Sequence, residues 1–316
     1  MSTETAEQYD IGVAWTWEYD ADFIRSIEAS ACSRNLTLLQ IVPQNVQILT
    51  ELYFQGKISF RYYFDRASDE NETFLPIARE VLRRSLLEGF GVHPINPADK
   101  MLRAADKATM HLEFLSHGLH VPYTIIISPF NHQKEIELSV SELAMLGRPF
   151  IIKPANTTGG GIGVILGAET LKEVIDARQL HKNDKYLLQE TIVPVGFEGR
   201  RAWFRVFYAF GEIIPCWWDD RTHVYTAVTP EEERLFSLCP LRSMTQTIQS
   251  VCGLDFFSTE IAFMENSRIA AVDYVNDMCD MRSQSKYSDG VPDNVIEEIV
   301  QKMTETVFLG IAGKEI

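Results

Sequence analysis

Along this chain the spacing of apolar positions switches between alternation, helical periodicity and short apolar runs, and each switch marks an element. Residues 11–17, Ile-Gly-Val-Ala-Trp-Thr-Trp, predict a first strand. Asp22 to Ser33 has apolar residues at helical spacing and stops near Arg34-Asn35, and Leu36 to Val42 is a second strand closed by Pro43. A strand–helix–strand unit of this length argues for a small α/β layer with a parallel sheet. Residues 47–66 are mixed, with 58–64 alternating as a strand that ends at Asp65-Arg66-Ala67-Ser68. Within that stretch Glu51-Leu-Tyr-Phe-Gln-Gly56 looks like a protease tag site, but it lies between two strands and is read as native sequence.

Residues 74–89 predict an amphipathic helix leading to Gly91-Val-His-Pro-Ile-Asn96, and 97–117 a further helix with Asp106-Lys107 early in it. A strand at 125–127, a helix at 135–146, and strands at 150–152 and 163–166 follow. Next come a helix at 171–179, a strand at 186–189, and an antiparallel pair, 205–210 and 212–218, turning at Gly211. Residues 230–252 read as mostly helix, 256–264 and 269–276 as a strand pair turning at Glu265-Asn266-Ser267, and 293–309 as a closing helix. With no repeat and no low-complexity linker, the parts are expected to pack as one interlocked body.

At 316 residues the chain is long enough for two or three packed domains. The net charge of −15 argues against nucleic acid or an anionic membrane as a main partner, because phosphate-rich surfaces would repel it. Five scattered cysteines without CxxC spacing suit free thiols in a reducing compartment. No segment reaches the apolar length of a membrane span, and the acidic N-terminus is no signal peptide, so the expected location is cytoplasmic.

Chemistry concentrates at residues 150–166, where a short strand carries Lys153, then a loop of small residues, then a second strand. Gly159, Gly160, Gly161 and Gly163 let the backbone bend and turn its N–H groups towards a ligand. Amides converging on one concavity favour an anion, and Lys153 adds a compact positive charge at the base. The combination suits a polyphosphate; the alternative is a β-hairpin with a glycine turn. It is not a P-loop, since Lys153 precedes the glycines and Pro154 follows it, and not a dinucleotide fingerprint, since Val164-Ile165-Leu166 continues as strand.

From about residue 95 to 282 the order of motifs resembles the ATP-grasp superfamily, in particular ligases of the RimK, D-alanine ligase and glutathione synthetase type. The matching pieces are Ile95-Asn96-Pro97, Lys107, Gly118 to Thr124, Lys153 with its glycine flap, Gln189-Glu190-Thr191-Ile192, Arg205, and the late acids. The resemblance implies an α/β ATP-grasp fold: an N-terminal parallel α/β domain over 1–96, a lid subdomain over 97–189, and a C-terminal subdomain over 190–316, clasping ATP. It implies that Lys107 and Lys153 hold the α and β phosphates and that the loop, with Thr158, Gly159, Gly160 and Gly161, closes over the β and γ phosphates. Gln189 to Ile192 would form the adenine hinge, and Glu198 would grip the ribose hydroxyls or else be a solvated loop acid.

Glu260, Asp273 and Asn276 offer only oxygen donors, which beside phosphate suit Mg²⁺, with Mn²⁺ as an alternative. Asp273 sits in an otherwise apolar strand, a costly place for an acid unless it is paired or metal-bound; the alternative is a strand-end residue bonded locally. Here the chain departs from the usual pattern of the family it resembles, in which the acid and asparagine stand two apart: Tyr274 holds the acid's place and Asp273 comes one position earlier. A bulge or strand end is then needed to aim Asp273 inward. A second departure is Trp203, where some relatives carry an acid.

The implied chemistry is ATP-dependent activation of a carboxylate as an acyl phosphate, followed by attack of an amine, with small-molecule or peptide substrates and a possible homodimer. Arg205 is the candidate for stabilising the transferred phosphoryl group, and Arg282 and Arg221 for holding a substrate carboxylate. His223 is read as a base or as an inert loop histidine, and Trp203, Trp217, Trp218 and Tyr225 as pocket wall or as core. Two other function classes stand beside the ligase: an ATP-grasp small-molecule kinase, and an ATP-binding regulatory or scaffold module.

Overall fold

A computed structural model describes residues 6–87, 91–157, 161–265 and 268–313. The N-terminal part runs β1 (Glu7–Trp15), α1 (Ala21–Ser33), β2 (Leu38–Ile41), α2 (Val46–Phe54), β3 (Ile58–Arg66), α3 (Leu75–Ser85) and β4 (His93–Ile95). The four strands pair in parallel in the order β2-β1-β3-β4. Both faces of this sheet are covered. Ile11 and Val13 of β1 pack with Phe23, Ile24 and Ile27 of α1, whereas Ala14 of β1 and Phe60 of β3 pack with Tyr53 of α2 and Ile77 of α3. The mixed stretch after residue 46 therefore contains a full helix, whose Glu51-Leu-Tyr-Phe segment places Tyr53 in the core, its ring stacked on Phe60.

The chain continues through α4 (Ala98–Ala105), α5 (Lys107–Ser116), β5 (Thr124–Ile127), α6 (Val140–Leu146), β6 (Phe150–Pro154), β7 (Ile165–Ala168), α7 (Leu171–Ala177) and β8 (Tyr186–Glu190). Strands β5-β8-β6-β7 form an antiparallel sheet with its own core, in which Phe150 and Ile152 meet Tyr186 and Leu188. The expected single helix over 97–117 is two helices, because Asp106 leaves the helical region (φ −74, ψ 95) and caps the second. The helix expected from 135 starts at Val140, where a Ser139–Glu142 capping box sets its first turn.

A two-residue pair, β9 (Gly196–Phe197) and β10 (Arg200–Arg201), leads into β11 (Trp203–Ala209), β12 (Glu212–Trp218) and β13 (Tyr225–Ala227). Then come α8 (Pro230–Leu235), α9 (Cys239–Cys252), β14 (Phe256–Phe263), β15 (Ile269–Asn276) and α10 (Asp293–Ile311). The helical stretch expected over 230–252 is thus split, with Ser237 at positive φ and Pro240 opening α9. Strands β13-β12-β11-β14-β15 make a five-stranded antiparallel sheet. One of its faces shares a core with α4, α5 and α9; the other shares a core with α1, α10 and the N-terminal sheet. No helix among the described residues is long and apolar enough to cross a membrane.

Two polar clamps join the N-terminal sheet to the C-terminal one. Arg66, at the end of β3, grips the Asp20 carboxylate with bonds of 2.7 and 2.8 Å and donates to the Cys279 carbonyl at 2.9 Å. Asn96, just past β4, donates to the Phe256 carbonyl and accepts from the Asp255 and Phe256 N–H groups, anchoring the start of β14.

Candidate nucleotide and metal site

Lys107 owes its position to the break before it. The Asp106 carboxylate accepts from the Ala108 and Thr109 N–H groups, the N-cap that satisfies two of the helix's unpaired donors, and it also receives Lys185 Nζ at 3.0 Å. Lys107 N–H donates to the Ala155 carbonyl at the end of β6, which ties the first turn of α5 to the base of the glycine flap. From there Lys107 Nζ reaches Asp273 Oδ1 at 3.1 Å.

Lys153, on β6, is buried. Its Nζ donates to the Val272 carbonyl at 3.3 Å and stands 5.3 Å from the centroid of the Tyr274 ring. Burial pushes its pKa down to about 8; Asp273 pulls it up and Lys107 pushes it further down. Beyond β6 the loop is pinned by Asp184, which accepts from Asn156 N–H, Asn156 Nδ2 and Thr157 Oγ1. Gly161 and Gly163 both have positive φ, as the sharp bend there requires. A Cβ on Gly163 would also meet Pro154 Cγ at 3.0 Å. Thr158, Gly159 and Gly160 lie outside the described residues.

The displaced acid is resolved by the pairing of β14 with β15. Ser258 pairs with Asn276, Glu260 with Asp273 and Ile261 with Ala271, so β15 uses one residue more than β14 on each side of Asp273. These irregularities are bulges, and they undo the odd spacing. Ser258 and Glu260 are two apart and share a face, so their partners Asn276 and Asp273 are brought to that same face although they are three apart. Asn276 Nδ2 reaches Ser258 Oγ at 3.5 Å. Tyr274 is left fully buried, its hydroxyl 2.8 Å from His111 Nδ1 and 3.2 Å from Gln189 Nε2.

Glu260 is held by two donors: Arg205 Nη2 on one oxygen and Trp203 Nε1 on the other, the latter at 3.1 Å. Trp203, which stands where some relatives have an acid, thus serves as a hydrogen-bond donor to the neighbouring acid. Burial alone would lower the Arg205 pKa, but Glu260 raises it above its ordinary value. Burial alone would likewise raise Asp273, yet Lys107, Lys153 and Arg205 hold its carboxyl well below the usual carboxylate range. Lys107, Lys153, Asp273, Glu260 and Arg205 therefore form one charge cluster, with the two lysines on the Asp273 side of the paired acids and Arg205 on the Glu260 side. The donor set fits a hard divalent cation, since Glu260 and Asp273 are paired oxygen donors on adjacent strands with Asn276 beside them.

The residues expected to form the adenine hinge, 189–192, run from the last two positions of β8 into the segment after it. The buried Gln189 side chain bonds Thr124 and Tyr274, so what it leaves for a ligand is backbone. The Glu190 carboxylate accepts from Tyr123 N–H at 2.8 Å, Thr191 Oγ1 donates to the Pro149 carbonyl, and Ile192 is buried against Trp203 and Val272. Glu198 has φ 48 and Gly199 φ 84, a two-residue primed turn between β9 and β10. The Arg282 guanidinium bonds Asp280 and Asp289 and lies 5.1 Å from the Tyr287 ring centroid. Sequence reasoning passed over His111, which no local signal distinguishes from a core histidine, and left Trp218 undecided between core and pocket.

The fold is that of the ATP-grasp ligases. The chain superposes on D-alanine–D-alanine ligase from Bacillus anthracis complexed with ATP at a TM-score of 0.61, with 14% identity, covering 98% of this chain and 100% of that one. It matches a RimK domain ATP-grasp protein from Sphaerobacter thermophilus at 0.57, with 16% identity over 94% of this chain and 98% of that one. The ATP-grasp ligase PsnB complexed with minimal precursor, Mg and ADP matches at 0.58, with 14% identity over 94% and 98%. In sequence, a probable alpha-L-glutamate ligase of Xanthomonas oryzae pv. oryzae is 33% identical over 192 residues, 57% of this chain and 60% of that protein. The chain thus spans about 60% of the length of this curated relative. No family profile matches the sequence.

Proposed function

We propose that this protein is a Mg²⁺-dependent ATP-grasp ligase that activates a carboxylate as an acyl phosphate and joins it to an amine. The observation that carries the reading is the convergence of Lys107 and Lys153 on Asp273, with Asp273 opposite Glu260 and Glu260 bonded to Arg205. Two lysines at the base of a glycine flap suit a polyphosphate, and ATP would lie between the 97–189 and 190–316 segments with its adenine against the backbone of 190–192. The relatives named as glutamate ligases support an amino acid as one of the two partners.

In this reading Lys107 and Lys153 neutralise the α and β phosphates, and the flap covers the β and γ phosphates and excludes water. Arg205 faces the transferring phosphoryl group. The substrate carboxylate attacks the γ-phosphorus, ADP leaves, and an amine then attacks the acyl carbon and expels phosphate. Such catalysis is positioning and charge neutralisation, so a Ser-His-Asp arrangement is not needed. A Mg²⁺ ion held by Glu260, Asp273 and Asn276 would supply further charge neutralisation at the phosphates. Arg282 would contact the substrate carboxylate only by exchanging one of its aspartate partners for it. The five free cysteines suit a reducing, cytoplasmic setting.

Calorimetry of ATP with and without Mg²⁺, on the wild type and on Lys153→Ala, tests the reading. The expected result is Mg²⁺-dependent binding that the substitution abolishes, followed by phosphate release that depends on an added amino acid. Phosphorylated product formed without any amine would make the protein a kinase. No ATP binding by the wild type would overturn the nucleotide site altogether.

A further inference from the structure

Arg205 is held from two directions that do not resemble each other. Its Nη2 donates to Glu260, while its Cζ lies 4.8 Å from the centroid of the Trp218 ring. Its Nε is buried without a hydrogen-bond partner among the described residues. Among the described residues no second carboxylate makes an ion pair with this guanidinium, so its contacts there are one ion pair and one π face.

The indole is itself backed. Trp218 stacks on the His223 ring with centroids 5.2 Å apart and planes only 4° from parallel. The loop between β12 and β13 is built to deliver that imidazole. Asp219 accepts from Arg221 and Thr222 N–H, its own N–H donates to the Val224 carbonyl, and its carbonyl accepts from His223 N–H at 2.8 Å. His223 adopts φ 62, a conformation uncommon for a non-glycine residue and held here by the bonds around it. Trp218 thus contacts both the Arg205 guanidinium, which pairs with Glu260, and the His223 imidazole of an exposed loop. A hairpin connection alone does not call for this arrangement.

We propose that Trp218, backed by His223, is a positioning residue for Arg205: the indole face fixes the guanidinium against the transferring phosphoryl group, and the imidazole keeps the indole in place. This rests on the ligase reading above, and it gives His223 a supporting role in place of the base or inert loop residue that the sequence allows. A positioning residue of this kind acts when charge develops on the phosphoryl group, and leaves nucleotide binding in the ground state unchanged.

The test compares ADP with Mg²⁺, and the same with aluminium fluoride as a phosphoryl mimic, by calorimetry on wild type, Trp218→Leu, Trp218→Phe and His223→Ala. ADP affinity is expected to be the same in all four. The gain in affinity from aluminium fluoride should fall by about ten-fold in Trp218→Leu, by less in His223→Ala, and be restored in Trp218→Phe. An unchanged gain in Trp218→Leu, or an equal loss of ADP affinity itself, overturns the proposal. A double-mutant cycle of Arg205→Leu and Trp218→Leu in thermal unfolding reads the contact without nucleotide, and additive effects there also overturn it. Wild type that binds no ADP, with a non-additive cycle, would mean that the contact exists but that the ligase reading, and the role in transfer with it, is wrong.

Discussion

Asp273 sits directly opposite Glu260 across β14 and β15, and its carboxylate meets Lys107 Nζ at 3.1 Å. Two like charges on paired residues repel unless cations intervene, and Lys107 and Arg205 are those cations in the nucleotide-free protein. Asp273→Asn removes one charge of the pair and leaves Lys107 without its carboxylate partner. The expected outcome is loss of the Mg²⁺ dependence of ATP binding, with the Mg²⁺-free affinity retained or raised. Calorimetry with and without Mg²⁺ reads this directly, and an unaltered Mg²⁺ effect would remove Asp273 from the metal site.

Lys153 gives a pH signature. Its free-state pKa of about 8 lies below the ordinary lysine value because burial disfavours the charged form. Phosphate oxygens favour the charged form, so ATP binding raises that pKa. Between about pH 8 and 9 the wild type should therefore take up part of a proton on binding, more as pH rises, and essentially none near pH 6. Calorimetry in buffers of different ionisation enthalpy measures the uptake. Lys153→Arg, whose guanidinium stays charged, should show none in either range.

Asp106 couples a helix cap to lysine placement. Asp106→Ala frees the Ala108 and Thr109 N–H groups and removes the partner of Lys185. A lost N-cap costs about 1 kcal/mol. Chemical denaturation should show that loss, and ATP affinity should fall with it because Lys107 is the first residue of the uncapped helix. A stability loss with intact affinity would show that the cap does not set the lysine.

Arg66 and Asp20 are both buried and bonded to each other within the N-terminal part, and Arg66 reaches across to the Cys279 carbonyl of the C-terminal part. Asp20→Ala leaves the guanidinium buried with the Cys279 carbonyl as its one hydrogen-bond acceptor among the described residues. Breaking such a pair from one side costs roughly 3–5 kcal/mol, whereas replacing both partners with apolar residues costs less. The denaturation midpoint should therefore drop further for Asp20→Ala than for the double substitution Asp20→Leu with Arg66→Met.

The parallel N-terminal layer, the strand–flap–strand around Lys153 and the late strand pair were legible because each is written in local periodicity. Buried strands read as apolar runs, and a lysine before a glycine cluster reads as an anion site or as a hairpin with a glycine turn. Helix limits were less legible. Nothing in the periodicity of 97–117 marks the break at Asp106, since the apolar face continues past it and only the backbone angles and the cap reveal it.

What the chain presented by itself was an inventory of candidates: two lysines, a glycine-rich loop, the 189–192 segment, an arginine and three residues with side-chain oxygens, in an order that resembles ATP-grasp ligases. What only the tertiary structure decided was which face Asp273 shares with Glu260, because strand register depends on a partner strand. Bulges on either side of Asp273 bring it to the face it would otherwise miss and turn Tyr274 into the core. The same holds for Trp203 and Trp218. Their composition says aromatic and nothing more, while the register of β11 and β12 sets one to donate to Glu260 and the other to lie against the Arg205 guanidinium. Long-range pairing, unlike local period, is not encoded at the position it governs.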